Sequence, residues 1–242
     1  MKVCLITATK DRHKQLERVV RFVLNQTYTD WVHLIYNNSA KLQRLNANLP
    51  TDKFILVNKS LDSKTGKPYT NLGDIYNDAL QFVPDDVDII TFADDDDIYL
   101  PNHLEEGIKG LEKGGLKAYK PQKSWFKHGK KTALVENILE PSIFIKADHI
   151  HQYGFSAETT AQHHQWLRPL EAENQIFVDP EGVPTYICDW SQEISTYKTS
   201  GDPHNPNNFI NYSAHTKDAG DGIITPCNQS WANHWCHIKP TK

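Results

Sequence analysis

The sequence predicts an α/β fold: one domain built on a central, mostly parallel sheet flanked by helices. Three observations carry that expectation. Short apolar runs alternate with amphipathic helical spacing through the first half of the chain, polar clusters close three of the apolar runs, and one of those clusters is the unbroken aspartate run Asp94, Asp95, Asp96 and Asp97. Strand–helix alternation implies βαβ units with right-handed crossovers, and such sheets bind ligands in a crevice at the carboxyl ends of their strands.

The elements follow in order. Residues 3–7 read as a buried strand that runs into Thr7, Ala8 and Thr9. Leu16, Val19, Val20, Val23 and Leu24 then recur at the spacing of one helix face. Residues 31–36 form a second strand ending in Asn37, Asn38 and Ser39, and residues 54–57 a third. Leu72, Ile75, Tyr76, Ala79 and Leu80 repeat the helical pattern behind Asn71, a good N-cap residue. Residues 88–93 are the fourth strand, which delivers the aspartates, and Pro101, Leu104 and Ile108 open a helix just beyond them. The second half is less regular. Weak alternation over 117–125, a short apolar strand at 142–145, a helix over 162–173 and a strand at 186–190 are expected, with loops from Ser200 onward.

The aspartate run is the most informative feature. Like charges a few ångströms apart raise one another's pKa, so four carboxylates at a strand end require a counter-charge. Hard carboxylate oxygens suit Mg²⁺ or Mn²⁺, and such ions are often held by one or two carboxylates together with the phosphates of a ligand. A divalent-metal site for a phosphorylated ligand is the expectation.

Composition bounds the rest. The 242 residues suffice for one large domain, and a net charge of −4 gives no global attraction to nucleic acid or anionic membrane. No apolar stretch approaches the ~18 residues of a membrane span, so a cytoplasmic protein is expected. Cys4, Cys188, Cys227 and Cys236 lack a C-x-x-C pair and read as reduced thiols.

Taken together these residues resemble family 2 glycosyltransferases, whose fold is GT-A. The segment Ile6-Thr7-Ala8-Thr9-Lys10-Asp11-Arg12 with Leu16 and Asn25-Gln26-Thr27-Tyr28 looks like that family's first strand and helix. Residues 31–39 are similar to its second strand, Asn71-Leu72-Gly73 with Asn77 to its Asn/Gly-bearing helix, and 92–97 with Pro101 to its Asp-x-Asp-Asp-x-x-x-Pro segment. The likeness covers residues 3–112, the nucleotide-sugar-binding half of a single 1–242 domain, and fades over the acceptor-side half, 113–242. It implies a nucleoside-diphosphate sugar, most often a UDP-sugar, as donor, with Mn²⁺ or Mg²⁺ as cofactor. On this register Asp96 is the metal ligand and Asp94 faces the ribose or the hydrated metal. Thr7, Thr9, Arg12 and Asn38 border the base and ribose, and Asn71 and Asn77 belong to the donor side. Transfer by inversion to a hydroxyl-bearing acceptor is implied: a glycan, a protein, a lipid-linked intermediate or, as a minority option, a hydroxylated base in DNA.

The sequence departs from the family in two places. Asn37-Asn38 stands where the family has an aspartate pair that helps to read the base. The acceptor-side Glu-Asp, whose Asp is the general base, is replaced by Gln162-His163-His164-Gln165 ahead of Trp166-Leu167-Arg168. His163 is the candidate base, because neutral imidazole can accept a hydroxyl proton, with Glu158 and Asp148 as carboxylate alternatives. His204 is a candidate further metal ligand. Cys227, His234, Cys236 and His237 are zinc-capable types without a standard zinc spacing. The lysines at 117, 120, 123, 127, 130 and 131 read as a solvated face that could instead meet an anionic acceptor. Two rivals remain: a nucleotidyltransferase, disfavoured by the absence of glycine between Thr7 and Arg12, and a non-catalytic relative that binds a nucleotide sugar or glycan.

Overall fold

Parallel pairing organises the amino-terminal half, as the alternation requires. In the computed structural model, which describes residues 1–45, 49–128, 131–137, 140–158 and 162–189, the chain runs β1 (Val3–Thr9), α1 (His13–Leu24), β2 (Trp31–Asn37), β3 (Phe54–Asn58), α2 (Leu72–Leu80), β4 (Ile89–Phe92) and β5 (Ile98–Tyr99). It continues through α3 (His103–Gly114), β6 (Ala118–Pro121), β7 (Lys123–His128), β8 (Lys131–Glu136), β9 (Phe144–Lys146), α4 (Ala147–Tyr153), α5 (His164–Ala172), β10 (Ile176–Asp179) and β11 (Tyr186–Asp189). Among the described residues the main sheet has seven strands in the order β10-β6-β9-β4-β1-β2-β3. β3, β2, β1 and β4 are parallel to one another, and β9 runs antiparallel between β4 and β6.

That order explains where a ligand can enter. From β1 the chain winds outward through β2 to β3, then returns across β1 to place β4 on its other side. The reversal opens a crevice between the carboxyl ends of β1 and β4. Thr9 ends one of these strands and the aspartate run follows the other.

Strand alternation splits the core in two. Val3 and Leu5 of β1 pack with Leu16, Val19 and Val23 of α1 and with Leu104, Ile108 and Leu111 of α3. Cys4 and Ile6 face the other way, onto Ile75, Tyr76 and Ala79 of α2 and Trp166 and Leu170 of α5. Both faces of β1 are therefore covered, which is why it reads as a continuous apolar run. α3 lies close on the sheet because Gly107, Gly110 and Gly114 leave room for the rings of Phe144, Tyr119 and Phe177. A Cβ at these positions would come within 2.2, 2.2 and 2.6 Å of them. Gly115, at φ 64°, ends this helix in the left-handed conformation that glycine adopts without strain.

A second sheet, β5-β11-β7-β8, stands beside the first. β6 passes into β7 after Pro121, so one extended stretch serves both sheets. The weak alternation over 117–125 reflects this change of sheet partway along. The expected helix over 162–173 is α5, and the strand at 142–145 is shifted to β9 behind a single 3₁₀ turn at Glu140–Ser142. α4, β8 and β10 had no expectation. Each is short, and α4 carries two histidines, so neither period stands out. The expected loops beyond Ser200, His204 and the zinc-capable tail lie outside the described residues.

Two histidines are sealed in the core. Thr7 Oγ1 donates to Ala93 O at 2.5 Å and lies 2.8 Å from His33 Nε2, so the ring must donate there. His103 Nδ1 pairs with Thr185 Oγ1 at 2.8 Å. Burial lowers both pKa values from 6.5 to about 3. The unfolded chain therefore binds protons that the folded chain refuses, and stability falls as pH drops below 6.5 toward 3. Urea midpoints should decline steadily from about pH 6.5 to 5, before carboxylates titrate, and the decline should be shallower in His33→Gln. A flat profile in the unmodified protein would contradict this account.

Candidate active site at the carboxyl ends of β1 and β4

The four aspartates do not share one environment. Asp95 is 2% exposed and accepts from Thr9 Oγ1 at 2.7 Å and from Arg12 Nη1 at 2.6 Å. The same Arg12 nitrogen reaches Asp96 Oδ2 at 3.1 Å. One guanidinium thus bridges two neighbouring carboxylates. Burial raises the Asp95 pKa above the ordinary carboxylate value, Arg12 and Thr9 work against that rise, and Asp96 adds to it. Burial works against the Arg12 charge in turn, but Asp95, Asp96 and Asp94 outweigh it and hold its pKa above the ordinary value.

Asp94 and Asp97 are held by tyrosines. The backbone N–H of Asp94 donates to Tyr99 Oη at 2.6 Å, and Tyr76 Oη donates to Asp94 Oδ1 at 3.3 Å. Asp97 accepts from Tyr186 Oη at 2.5 Å and from the Asp189 N–H at 2.8 Å, which ties the run to β11 of the second sheet. Asp189 takes ion pairs from Arg18 at 3.0 Å and Lys127 at 3.4 Å. Asp97 is thereby occupied in fixing the run, while Asp96 borders the crevice with a cation on it.

The other predicted site residues divide between the crevice and its supports. Thr9 and Arg12 converge on the aspartates. Thr7 is fully buried beneath them. Asn38 is half-buried, its N–H donating to Thr9 O at 3.0 Å. Its neighbour Asn37 is buried, donating to Lys41 O at 2.8 Å and Asn58 Oδ1 at 2.7 Å. Asn71 caps α2, accepting from the Asp74 N–H at 2.8 Å, and Asn77 pairs with the backbone of Phe155.

Of the candidate bases, Asp148 is exposed in the first turn of α4, where Oδ1 accepts from the His149 N–H at 2.7 Å. Glu158 is exposed, and His163 sits just before α5, 9% exposed, against the rings of His164 and Trp166. Trp166 stacks in turn on Phe92 at the end of β4. In the lysine cluster, Lys117 pairs with Glu173, Lys120 donates to Asn137 O and Lys127 pairs with Asp189. Roles that the sequence did not assign also matter here: Asp95 within the run is the 2% exposed partner of Arg12, and Tyr76, Tyr99 and Tyr186 hold the run. A lone tyrosine has no spacing that announces such a role.

The donor set fits a hydrated divalent ion. Among the described residues no group of three or more His, Cys, Asp or Glu side chains forms a ready-made cage. Mg²⁺ and Mn²⁺ need none when phosphates complete the coordination. The Arg12 guanidinium already stands as a cation against Asp96, so positive charge is what this position accepts. Asp96, with Asp94 beside it, would hold the ion.

A mostly parallel sheet of this order, flanked by helices and with polar strand ends at the β1/β4 crevice, is the fold of GT-A-like glycosyltransferases. Solved structures bear this out. S. aureus TarS 1–349 in complex with UDP matches with a TM-score of 0.57 at 15% identity, over 88% of this chain. The mannosyltransferase PcManGT from Pyrobaculum calidifontis, in complex with GDP-Man and Mn²⁺, matches with a TM-score of 0.58 at 12% identity, over 97% of this chain and 69% of its own. The chain spans 63% of the TarS 1–349 fragment and 38% of the longer TarS structure. No family profile and no curated protein sequence matches the chain. Among the described residues, no helix is long and apolar enough to cross a membrane.

The Arg12 bridge makes a stability prediction. Arg12→Ala leaves Asp95 buried with only Thr9 as a partner, and uncompensated buried charges cost about 3–5 kcal/mol. The folded-state pKa of Asp95 should then rise further above its unfolded value, so the variant is penalised most at neutral pH and regains stability as pH falls toward 4. The difference in urea stability between variant and unmodified protein should therefore shrink between about pH 7 and 4.5. A constant difference would mean that Arg12 does not neutralise Asp95.

Proposed function

We propose that the protein is a metal-dependent glycosyltransferase that moves a sugar from a nucleoside-diphosphate donor, a UDP-sugar by preference, to an acceptor hydroxyl with inversion. The observation that carries this reading is the Arg12 guanidinium lying across Asp95 and Asp96 at the β1/β4 crevice. It marks a place built for positive charge where a sheet of this order presents its ligand. Bound there by Asp96 and Asp94, Mn²⁺ or Mg²⁺ would supply Lewis acidity toward the departing diphosphate. The UDP complex of TarS supports a uridine donor, and the GDP-Man and Mn²⁺ complex of PcManGT supports a nucleoside-diphosphate sugar with a divalent ion on a shared fold.

The chain's own residues have distinct tasks in this scheme. Asp96 would hold the ion in place of its contact with Arg12. The diphosphate offers Arg12 replacement anionic oxygens, so loading the donor and freeing Asp96 favour each other. Thr9 and Arg12 keep Asp95 fixed and Asp97 keeps the run anchored, so the carboxylates are oriented before the donor arrives. Asn38 borders the base at the end of β2. The general base comes from the segment after α4, where Glu158 is exposed and His163 stands at the start of α5. Asp148, committed to its own helix turn, is the third alternative. A base in this segment faces the acceptor and takes up its hydroxyl proton as the glycosidic bond forms.

The reading is tested by calorimetry with UDP, GDP, TDP and CDP in Mn²⁺. UDP should bind tightest, its affinity should collapse when EDTA removes the ion, and Asp96→Ala should abolish Mn²⁺-dependent binding without changing the far-UV spectrum. Turnover of a UDP-sugar should be lost in the same variant. Near-normal binding and turnover in Asp96→Ala would reject the site, and a clear preference for GDP or TDP would reject uridine.

A further inference from the structure

We propose that Gly73, Tyr76 and Asn77 of α2 are positioning residues that hold the acceptor-side loop 154–158 in fixed register with the aspartate run. The inference rests on the glycosyltransferase reading for its consequence, but its geometry stands on independent contacts. Asn77 closes a paired hydrogen bond with the backbone of Phe155: Nδ2 donates to the carbonyl at 2.8 Å and Oδ1 accepts from the N–H at 2.8 Å. One turn earlier the Gly73 N–H donates to Glu158 O at 3.0 Å. The loop crosses so close that a Cβ on Gly73 would fall 1.7 Å from Ser156 O, a backbone atom with no side-chain freedom to yield. Between these two points the Tyr76 ring stacks on Phe155 at 4.9 Å between centroids, and its hydroxyl donates to Asp94.

One helix thus touches both halves of the site. Tyr76 meets the aspartate run at its hydroxyl and the loop at its ring face, while Phe155 packs edge-on against Phe92 and Trp166. The loop also closes on the start of α5, because the Ser156 N–H donates to Gln162 O at 3.0 Å. Glu158 therefore ends a stretch, 154–158, whose backbone is fastened to α2 at two points, and His163 follows the Gln162 carbonyl that Ser156 holds. Misplacement by about 1 Å can cost a hundredfold in rate, so the base needs such a fastening wherever in this segment it lies. The Asn71-Leu72-Gly73 and Asn77 pattern accordingly acts through the loop, with capping and loop contacts as its side-chain work.

The test uses Asn77→Ala, the near-isosteric Asn77→Asp, which loses the donor to Phe155 O and sets a carboxylate oxygen against that carbonyl, and Gly73→Ala. Four readouts are taken on the full chain: thermal melting, hydrogen exchange of the 154–158 peptide, UDP affinity in Mn²⁺, and hydrolysis of UDP-GlcNAc with water standing in for the acceptor. Exchange in 154–158 should rise in all three variants, while β1 and β4 stay protected. UDP affinity should hold, whereas the hydrolysis kcat falls about 10–100-fold and its pH limb flattens. Unchanged exchange in Gly73→Ala, or UDP affinity lost in step with kcat, would overturn the proposal. Failure of the unmodified protein to bind any nucleotide would instead sink the glycosyltransferase reading, and the exchange data alone would then decide whether α2 fixes the loop.

Discussion

Four adjacent carboxylates at the end of a buried strand are the constraint around which the rest of the molecule is arranged. Each has a different solution. Asp94 is held at its N–H and its side chain by Tyr99 and Tyr76, and Asp95 is neutralised by Arg12 and steadied by Thr9. Asp97 is satisfied by a tyrosine hydroxyl and a backbone N–H, and Asp96 stands against the Arg12 guanidinium. A buried ion pair adds little net stability, because desolvation consumes most of the Coulombic gain. The arrangement therefore makes more sense as preorganisation for a cation than as a stabilising device.

The second sheet has its reason in the same constraint. β11 brings Tyr186 and Asp189 to Asp97, and Asp189 is in turn neutralised by Arg18 from α1 and Lys127 from β7. The anchoring of the run is thus shared with residues on three further elements, α1, β7 and β11. Loss of any of them would loosen the aspartates without touching a ligand. On the opposite side α2 plays the corresponding part, joining the run to the loop 154–158 through Tyr76 and Phe155.

The parallel half was legible because each of its elements has a strong period. β1 reads as apolar throughout since both its faces are covered, α1 and α2 show clear stripes, and Asn71 caps where a cap was expected. The aspartates announced a charged site, yet which of them is buried depends on Arg12 and Tyr186, and Tyr186 lies 89 positions from its partner Asp97. Spacing rules do not reach that far. The Lys117–Lys131 cluster shows the converse error: a regular-looking basic face is partly taken up by Glu173, Asn137 and Asp189, each remote in sequence. The second half was least legible because its strands are short and change sheets, so neither period repeats often enough to register.

The central claim is that the Arg12 cation on Asp96 gives way to a divalent ion when the donor loads. A crystal structure of the protein grown with UDP and Mn²⁺ tests this most directly, with the anomalous signal of Mn²⁺ locating the ion. The account predicts a single Mn²⁺ peak at coordination distance from Asp96 and the diphosphate, with Arg12 moved off Asp96 and Asp97 still bound to Tyr186. A peak elsewhere, or UDP bound while Arg12 still bridges Asp95 and Asp96, would contradict it.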